Sequence, residues 1–268
     1  MKQDTSKKPK IHPTALISSE AQIHASCEIG PFCVIDGGVK LGPDNRLMSH
    51  VAMQGNTTIG KGNVFFPFSV IGAVPQDLKY QGEDTKLVIG DHNTFRECVT
   101  LNIGTAGGGG VTRIGDHNLL MAYVHIAHDV VIGSHTILGN SCQVAGHVLI
   151  EDYATVGGLS AIGQYIRVGT HAYIGGASGL DRDVPRFTLG RGISQDYEVW
   201  GINLVGLKRR GFSDTAISAL QEVSKMFFKD KSMEKEATLQ KIEQTVGHVP
   251  EVQRFVEFIR GTQKGIYR

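Results

Sequence analysis

The stretch IGDHNLLMAYVHIAHDVVIGSHTILGNS, residues 114–141, carries an aliphatic residue at every sixth position: Ile114, Leu120, Ile126, Ile132 and Leu138. The stride continues through Val144, Ile150, Val156, Ile162, Val168 and Ile174 to Leu180. Upstream it runs from Ile11 through Ile17, Ile23, Ile29, Ile35, Leu41, Leu47, Met53, Ile59 and Phe65 to Ile71, and resumes at Ile89, Phe95 and Leu101. A six-residue period is the signature of a parallel β-helix. Each hexad supplies one short strand and a tight corner, and three hexads close a triangular coil. The stride residues point inward and are buried only when the next coil covers them. The twenty-six hexads make nearly nine coils, a prism about 40 Å long at the strand spacing of about 4.8 Å. Glycine, at 34 of 268 residues, fits corners that need positive φ. Asn is expected to serve the same purpose in Gly62-Asn63 and Gly139-Asn140.

Two segments break the stride, 72–88 and 107–113, and both read as loops thrown out from a corner, where binding groups tend to sit. Beyond Pro185 the period stops. Residues 186–212 read as an irregular connector with a basic run, Lys208-Arg209-Arg210. Ser213-Asp214 then has the form of a helix start ahead of Ile217, Leu220, Val223, Met226 and Phe227, and further helices are expected over 233–246 and 250–260. The chain thus divides into a polar tail (1–10), a β-helix (11–185) and a connector with a helical C-terminal part (186–268).

A net charge of +1 argues against a general nucleic-acid binder. No segment has the length and apolarity of a membrane span, and MKQDTSKKPK at the start is not a signal peptide. Cys27, Cys33 and Cys142 stand four residues after a stride residue, where Ala, Ser, Thr or Val otherwise sit. With Cys98 they read as small hydrophobes of a reducing cytoplasm, without a disulfide or metal framework.

Residues eighteen apart stack in one column, which sorts the eleven histidines. His92, His117, His135 and His171 each lie three after a stride residue, and the last three share a column with Tyr153. A metal ladder is one reading; a corner residue copied by the repeat is the simpler one. His125, His128 and Asp129 differ, falling within five residues of one corner. His128 stacks with Gly146 and Gln164, and His147 stacks with Asp129. Such a group suits a histidine general base, a carboxylate that holds its tautomer, and a glycine N–H for an oxyanion. A polar corner network without chemistry remains the alternative.

HIAHD (125–129), AGHV (145–148), PQDLKY (75–80), DVP (183–185) and GLKRRGFS (206–213) together resemble the UDP-N-acetylglucosamine O-acyltransferase family, over roughly residues 11–268. The resemblance implies a left-handed β-helix followed by C-terminal helices. It implies transfer of a fatty acyl group, expected to be 3-hydroxylated, from acyl carrier protein to the 3-position of UDP-N-acetylglucosamine, the first step of lipid A synthesis. It makes His128 the general base, Asp129 its partner and Gly146 the oxyanion N–H. His125 and His147 line the sugar and acyl site, Asp77 and Lys79 contact the nucleotide-sugar, and Gln164 lies beside them. Asn203, Arg209 and Arg210 contact nucleotide or carrier, and Gly176 limits acyl length. No covalent nucleophile, metal or resident cofactor is implied, because the acyl group arrives on the carrier's phosphopantetheine. The family also implies a homotrimer with sites between prisms. The chain departs from the family at Gly163, where His usually stands, in Gly192–Trp200, and at Val205, where Glu is common. Those departures leave N-acylation of a 3-amino sugar nucleotide as an alternative. A β-helix zinc hydratase is the alternative outside acyl transfer.

Overall fold

The computed structural model describes residues 8–268. The expected tail at 1–10 falls outside the described residues as far as residue 7, and Lys10–Ile11 already forms the first strand. The hexads build a left-handed parallel β-helix with three flat faces. The first face starts at Lys10–Ile11, the second at Leu16–Ile17 and the third at Gln22–Ile23, and they hold eleven, nine and eight strands. The last two strands of the first face, Thr188–Arg191 and Glu198–Ile202, follow the hexads as an antiparallel hairpin. Stride residues sit over one another, as in Ile126↔Val144 and Val144↔Ile162. Ile35, Leu47, Ile71, Leu101, Ile126 and Val144 are sealed from solvent as layers of one continuous core.

Glycine and asparagine work differently from the expectation. The left-handed corner is the third residue after the stride, and it is mostly not glycine: Phe32, His50, His92, Asp129, His147 and Tyr165 all have φ between 56° and 65°. Glycine instead follows the stride directly, because successive coils nearly touch there. A Cβ on Gly42 would lie 2.6 Å from the carbonyl oxygen of Gly60, and one on Gly115 would lie 2.5 Å from that of Gly133. Asn63 is in the core, not in a positive-φ corner. It belongs to a ladder in which Asn45 Oδ1 accepts from Asn63 N (2.9 Å), Asn63 Oδ1 from Asn93 N (2.8 Å), Asn93 Oδ1 from Asn118 N (2.8 Å) and Asn118 Oδ1 from Thr136 N (2.7 Å). Each amide repeats the job of a strand inside the prism, where unpaired backbone would be costly. Cys27 heads the same column, its thiol donating to Gly42 O at 3.1 Å. Asn93→Ala strips partners from buried Asn118 N and Gly115 O. It is expected to lower stability by about 2–4 kcal/mol, read as a fall in thermal midpoint without loss of parallel β-structure by circular dichroism.

The two loops are shorter or differently placed than the stride suggests. Lys86–Ile89 pairs residue by residue with Asn56–Ile59 and Val111–Ile114, so the loops are 74–85 and 103–110. The polar residues Lys86 and Arg113 point outward from strands, which an aliphatic count cannot register. Both loops leave from the edge between the second and third faces.

On the edge between the third and first faces, His92, His117, His135, Tyr153 and His171 form a stack of nearly parallel rings, with centroids 4.7–5.1 Å apart. These histidines are ring spacers, not an array of ligands. His171, at the foot, meets Phe212 edge-on at 4.9 Å. Burial there, reinforced by Arg210 and Arg254 and opposed by Asp152, pushes its pKa down to about 4. A histidine near 6.5 when unfolded and lower when folded takes up protons on unfolding between those values, so it makes stability fall as pH drops from about 6.5 towards 4. His171→Phe is expected to flatten that part of a thermal-midpoint-versus-pH curve.

Residues 186–212 are not irregular: the hairpin is followed by α1 (Leu204–Arg209). The helices α2 (Asp214–Ser224), α3 (Lys235–Val246) and α4 (Pro250–Arg260) then pack into a small bundle, with Ser213 Oγ capping α2 by accepting from Ala216 N at 3.1 Å. A single π turn, Lys225–Lys229, extends α2. Asp183 ties the bundle to the last coil, accepting from Arg167 Nε (2.9 Å) and Thr262 Oγ1 (2.8 Å). Tyr267 adds a second tie by donating to Asp181 Oδ1 at 2.8 Å. No described helix is long and apolar enough to cross a membrane.

Candidate active site

His128 and Asp129 form the corner between Ile126 of the second face and Val131 of the third. Asp129 takes the left-handed position, with φ 58°, and both residues are only 6 % exposed. His128 Nδ1 lies 2.8 Å from Asp129 Oδ2. The carboxylate also accepts from Thr105 Oγ1 (Oδ2, 2.6 Å) and Thr105 N (Oδ1, 2.9 Å), while Asp129 N donates to Thr112 Oγ1 at 2.8 Å. With Thr105 donating, this network assigns the His128 ring proton to Nδ1 and leaves Nε2 as an acceptor. Nε2 faces Asp77 Oδ2 of loop 74–85 at 4.0 Å.

One coil on, Gly146 lies under the imidazole; a Cβ there would come within 2.6 Å of His128 Cε1 and 2.8 Å of Nε2. His147 packs edge-on against His128, with centroids 5.0 Å apart, and its Nδ1 is 4.0 Å from Asp129 Oδ2. Desolvation lowers the pKa of His147, against the pull of Asp129, and burial lowers that of His125. Both are therefore neutral at pH 7. Thr100 Oγ1 holds His125 Nδ1 at 2.7 Å.

These groups open on a cavity of about 1090 Å³, lined on one side by Asp77, Lys79 and Tyr80 and on the other by Gly146, His147, Gln164 and Tyr165. Lys79 is placed by the turn at Asp77, whose Oδ1 accepts from Lys79 N at 3.0 Å. Asp77, Lys79, His125, His128, Gly146, His147 and Gln164 are thus brought to one edge, together with Asp129 behind His128. Gly176, Asn203, Arg209 and Arg210 are not. Gly176 turns the corner between the first and second faces, and Asn203 and Arg210 flank the corner between the third and first. Asn203 caps α1 by accepting from Gly206 N (3.0 Å) and donates to His171 O (3.0 Å), while Arg210 lies 4.6 Å over the Tyr153 ring. Within one prism, three corners of a triangle cannot meet.

Residues 183–267 match the family described as UDP N-acetylglucosamine O-acyltransferase, domain 2, and residues 112–146 match the bacterial transferase hexapeptide (six repeats) family. The chain is 47 % identical over 259 residues, 97 % of its length and 99 % of the relative's, to the acyl-[acyl-carrier-protein]–UDP-N-acetylglucosamine O-acyltransferase of Thermodesulfovibrio yellowstonii. It belongs to the UDP-N-acetylglucosamine O-acyltransferase family. Among solved structures, the UDP-N-acetylglucosamine acyltransferase of Bacteroides fragilis superposes with a TM-score of 0.93 at 40 % identity, covering 96 % of this chain and 100 % of that one. The Francisella novicida enzyme gives 0.92 at 39 %, covering 96 % and 94 %.

Of the segments singled out from the sequence, Gly163 and Ser194 reach the cavity's lower end, whereas Val205 stands exposed on α1. Gly163 lines the cavity beside Gln164 and adds no side chain to it. From Gly192–Trp200, Ser194 reaches the cavity, whereas Tyr197 is buried against Tyr267 with ring centroids 4.5 Å apart. Asp196 and Glu198 border a separate small hollow with Lys229 and Arg268. Sequence reasoning missed Thr105 and Thr112. A threonine one coil before a histidine carries no signal until the coils are stacked.

Proposed function

We propose that this chain transfers a fatty acyl group from the phosphopantetheine thioester of acyl carrier protein to the 3-hydroxyl of UDP-N-acetylglucosamine, with His128 as general base. The observation that carries the reading is the His128 ring, fixed by buried Asp129 through Nδ1, with Nε2 open to the cavity beside the Gly146 backbone. Nε2 takes the proton of the sugar hydroxyl as its oxygen attacks the thioester carbonyl. The Gly146 N–H, which has no backbone acceptor among the described residues, stabilises the tetrahedral oxyanion. Collapse expels the pantetheine thiolate, and the imidazolium returns the proton to sulfur. Asp129 stabilises the imidazolium and stays ionised. Asp77 and Lys79 face the sugar nucleotide from the loop, and Gln164 lies one coil below Gly146. No step requires a metal.

We place the assembly as a homotrimer. Gly176 and the pair Asn203 and Arg210 lie on edges that a single prism cannot turn towards His128, and neighbours around a threefold axis bring one protomer's edge against another's. The edge at Gly176 also exposes Phe32, Phe68, Tyr123 and Leu159, apolar side chains that suit burial against a partner. In the assembled site Gly176 limits acyl length, and Asn203, Arg209 and Arg210 receive the nucleotide or the acidic carrier. Four free cysteines fit a reducing cytoplasm.

The test is an assay of the purified chain with long-chain 3-hydroxyacyl carrier protein, offering UDP-N-acetylglucosamine and its 3-amino analogue. An alkali-labile ester formed with the higher kcat/KM on UDP-N-acetylglucosamine is the expected result. A higher kcat/KM on the amino analogue overturns the acceptor, and transfer to neither overturns the reaction.

A further inference from the structure

Loop 103–110 joins strand Thr100–Asn102 to strand Val111–Ile114, at the corner directly above His128 and Asp129. It carries none of the site residues expected of a break in the stride. Instead it is folded around a carboxylate. The loop closes on itself at Thr105, whose carbonyl accepts from Gly108 N at 3.0 Å and Gly110 N at 2.8 Å. That turn aims Thr105 N and Thr105 Oγ1 at Asp129. With His128 Nδ1 as the third donor, both carboxylate oxygens are satisfied without water, and the Asp129 side chain is 1 % exposed. Gly108 covers the same group with its bare Cα. A Cβ on Gly108 would overlap Asp129 Cγ and Oδ2, and its three nearest atoms all belong to Asp129. The three nearest to a Cβ on Gly146 likewise all belong to His128. Each member of the histidine–aspartate pair is therefore abutted by a glycine. The neighbouring glycines differ. A Cβ on Gly107 would face open space, and one on Gly104 would first strike the loop's own backbone at Val111 N.

We infer that Gly108 is a positioning residue for acyl transfer: having no side chain, it lets loop 103–110 seal the Asp129 carboxylate against His128 Nδ1. The inference rests on the acyl-transfer reading, in which Asp129 stabilises the imidazolium formed when His128 takes the proton. That stabilisation is stronger away from water, where charges interact across a lower dielectric. A methyl group on residue 108 has two ways out. Either the carboxylate is pushed from Nδ1, or the loop lifts, withdrawing the Thr105 donors and admitting water. Both loosen the base and leave Asp77, Lys79 and Gln164 in place, so the effect falls on kcat and not on substrate binding. The backbone separates this contact from the fold. Gly108 lies outside the left-handed region, so alanine meets no backbone strain there, and Asp129, at φ 58°, occupies a conformation that glycine adopts freely. Gly108→Ala and Asp129→Gly can therefore be combined.

The test is a double-mutant cycle over wild type, Gly108→Ala, Asp129→Gly and the double variant. Each is measured for kcat, KM and thermal midpoint, and for the low-field proton resonance of the His128–Asp129 hydrogen bond, assigned by its loss in Asp129→Gly. Gly108→Ala is expected to lower kcat about 10²-fold, with both KM values within about threefold of wild type, and to shift or abolish the resonance. In the Asp129→Gly background the space beside residue 108 is empty. Adding Gly108→Ala there is expected to change the residual kcat less than about threefold and to leave the thermal midpoint unmoved. Should Gly108→Ala alone fail to fold, recovery of the fold in the double variant identifies the same contact, and failure of the double variant to recover overturns it. A Gly108→Ala protein with kcat within threefold of wild type and an unchanged resonance overturns the inference. So does an equal loss of kcat in both backgrounds, since the methyl would then act elsewhere than on Asp129. The resonance is read without substrate, so a wild-type chain that transfers no acyl group would overturn the underlying reaction and not the contact.

Discussion

His128→Ala is expected to lower kcat about 10³-fold while leaving KM for both substrates within a few-fold of wild type, because general-base help typically contributes about 10²–10⁴. The ring touches the reaction only through Nε2, and its other nitrogen is committed to Asp129 at 2.8 Å. Removing it leaves the cavity walls from Asp77 to Gln164 in place. The corner itself survives, since the left-handed residue is Asp129, held by Thr105 and Thr112. Single-turnover rates and a thermal melt on the same sample check both halves. A variant that melts like wild type and turns over near normally would remove His128 from the chemistry.

Gly146→Ala is expected to cost about 10²-fold in kcat, although it adds one methyl group. That methyl would stand 2.6–2.8 Å from the His128 ring, closer than real Cβ contacts allow. The imidazole is buried and tied to Asp129, so it can move aside only by breaking that bond or by lifting Nε2 from its line to the sugar hydroxyl. The backbone N–H remains, so the loss measures alignment of the base and not deletion of the oxyanion donor; misplacement by about 1 Å is enough for an effect of this size. Activity within threefold of wild type would show that the ring has room to shift.

The stride residues made the prism legible because burial on three flat faces demands one inward aliphatic per hexad. His125, His128 and Asp129 were legible because adjacent residues share a corner, and His147 because eighteen residues close a coil. The same arithmetic failed at Lys86–Val88 and Val111–Arg113, which extend strands by backbone pairing and whose inward residues, Leu87 and Thr112, fall off the six-residue stride. It also missed Thr105, which reaches Asp129 from a neighbouring loop. The asparagine ladder was misread because Gly62-Asn63 has the composition of a turn, yet Asn63 points into the core. Gly176, Asn203 and Arg210 came from family likeness, and stacking shows why no reading of a single coil could join them to His128: they occupy the other two corners.

The coil-on-coil stacking makes distance along the active edge a counted quantity. His128, Gly146 and Gln164 stand on successive rungs, so a relative that gains or loses one eighteen-residue coil between them would shift its lower groups by one rung, about 4.8 Å, without disturbing the faces. Substrate length in such a scaffold would change in whole rungs through duplication or deletion. Finer adjustment would fall to single side chains, as at Gly163, which lines the cavity without one.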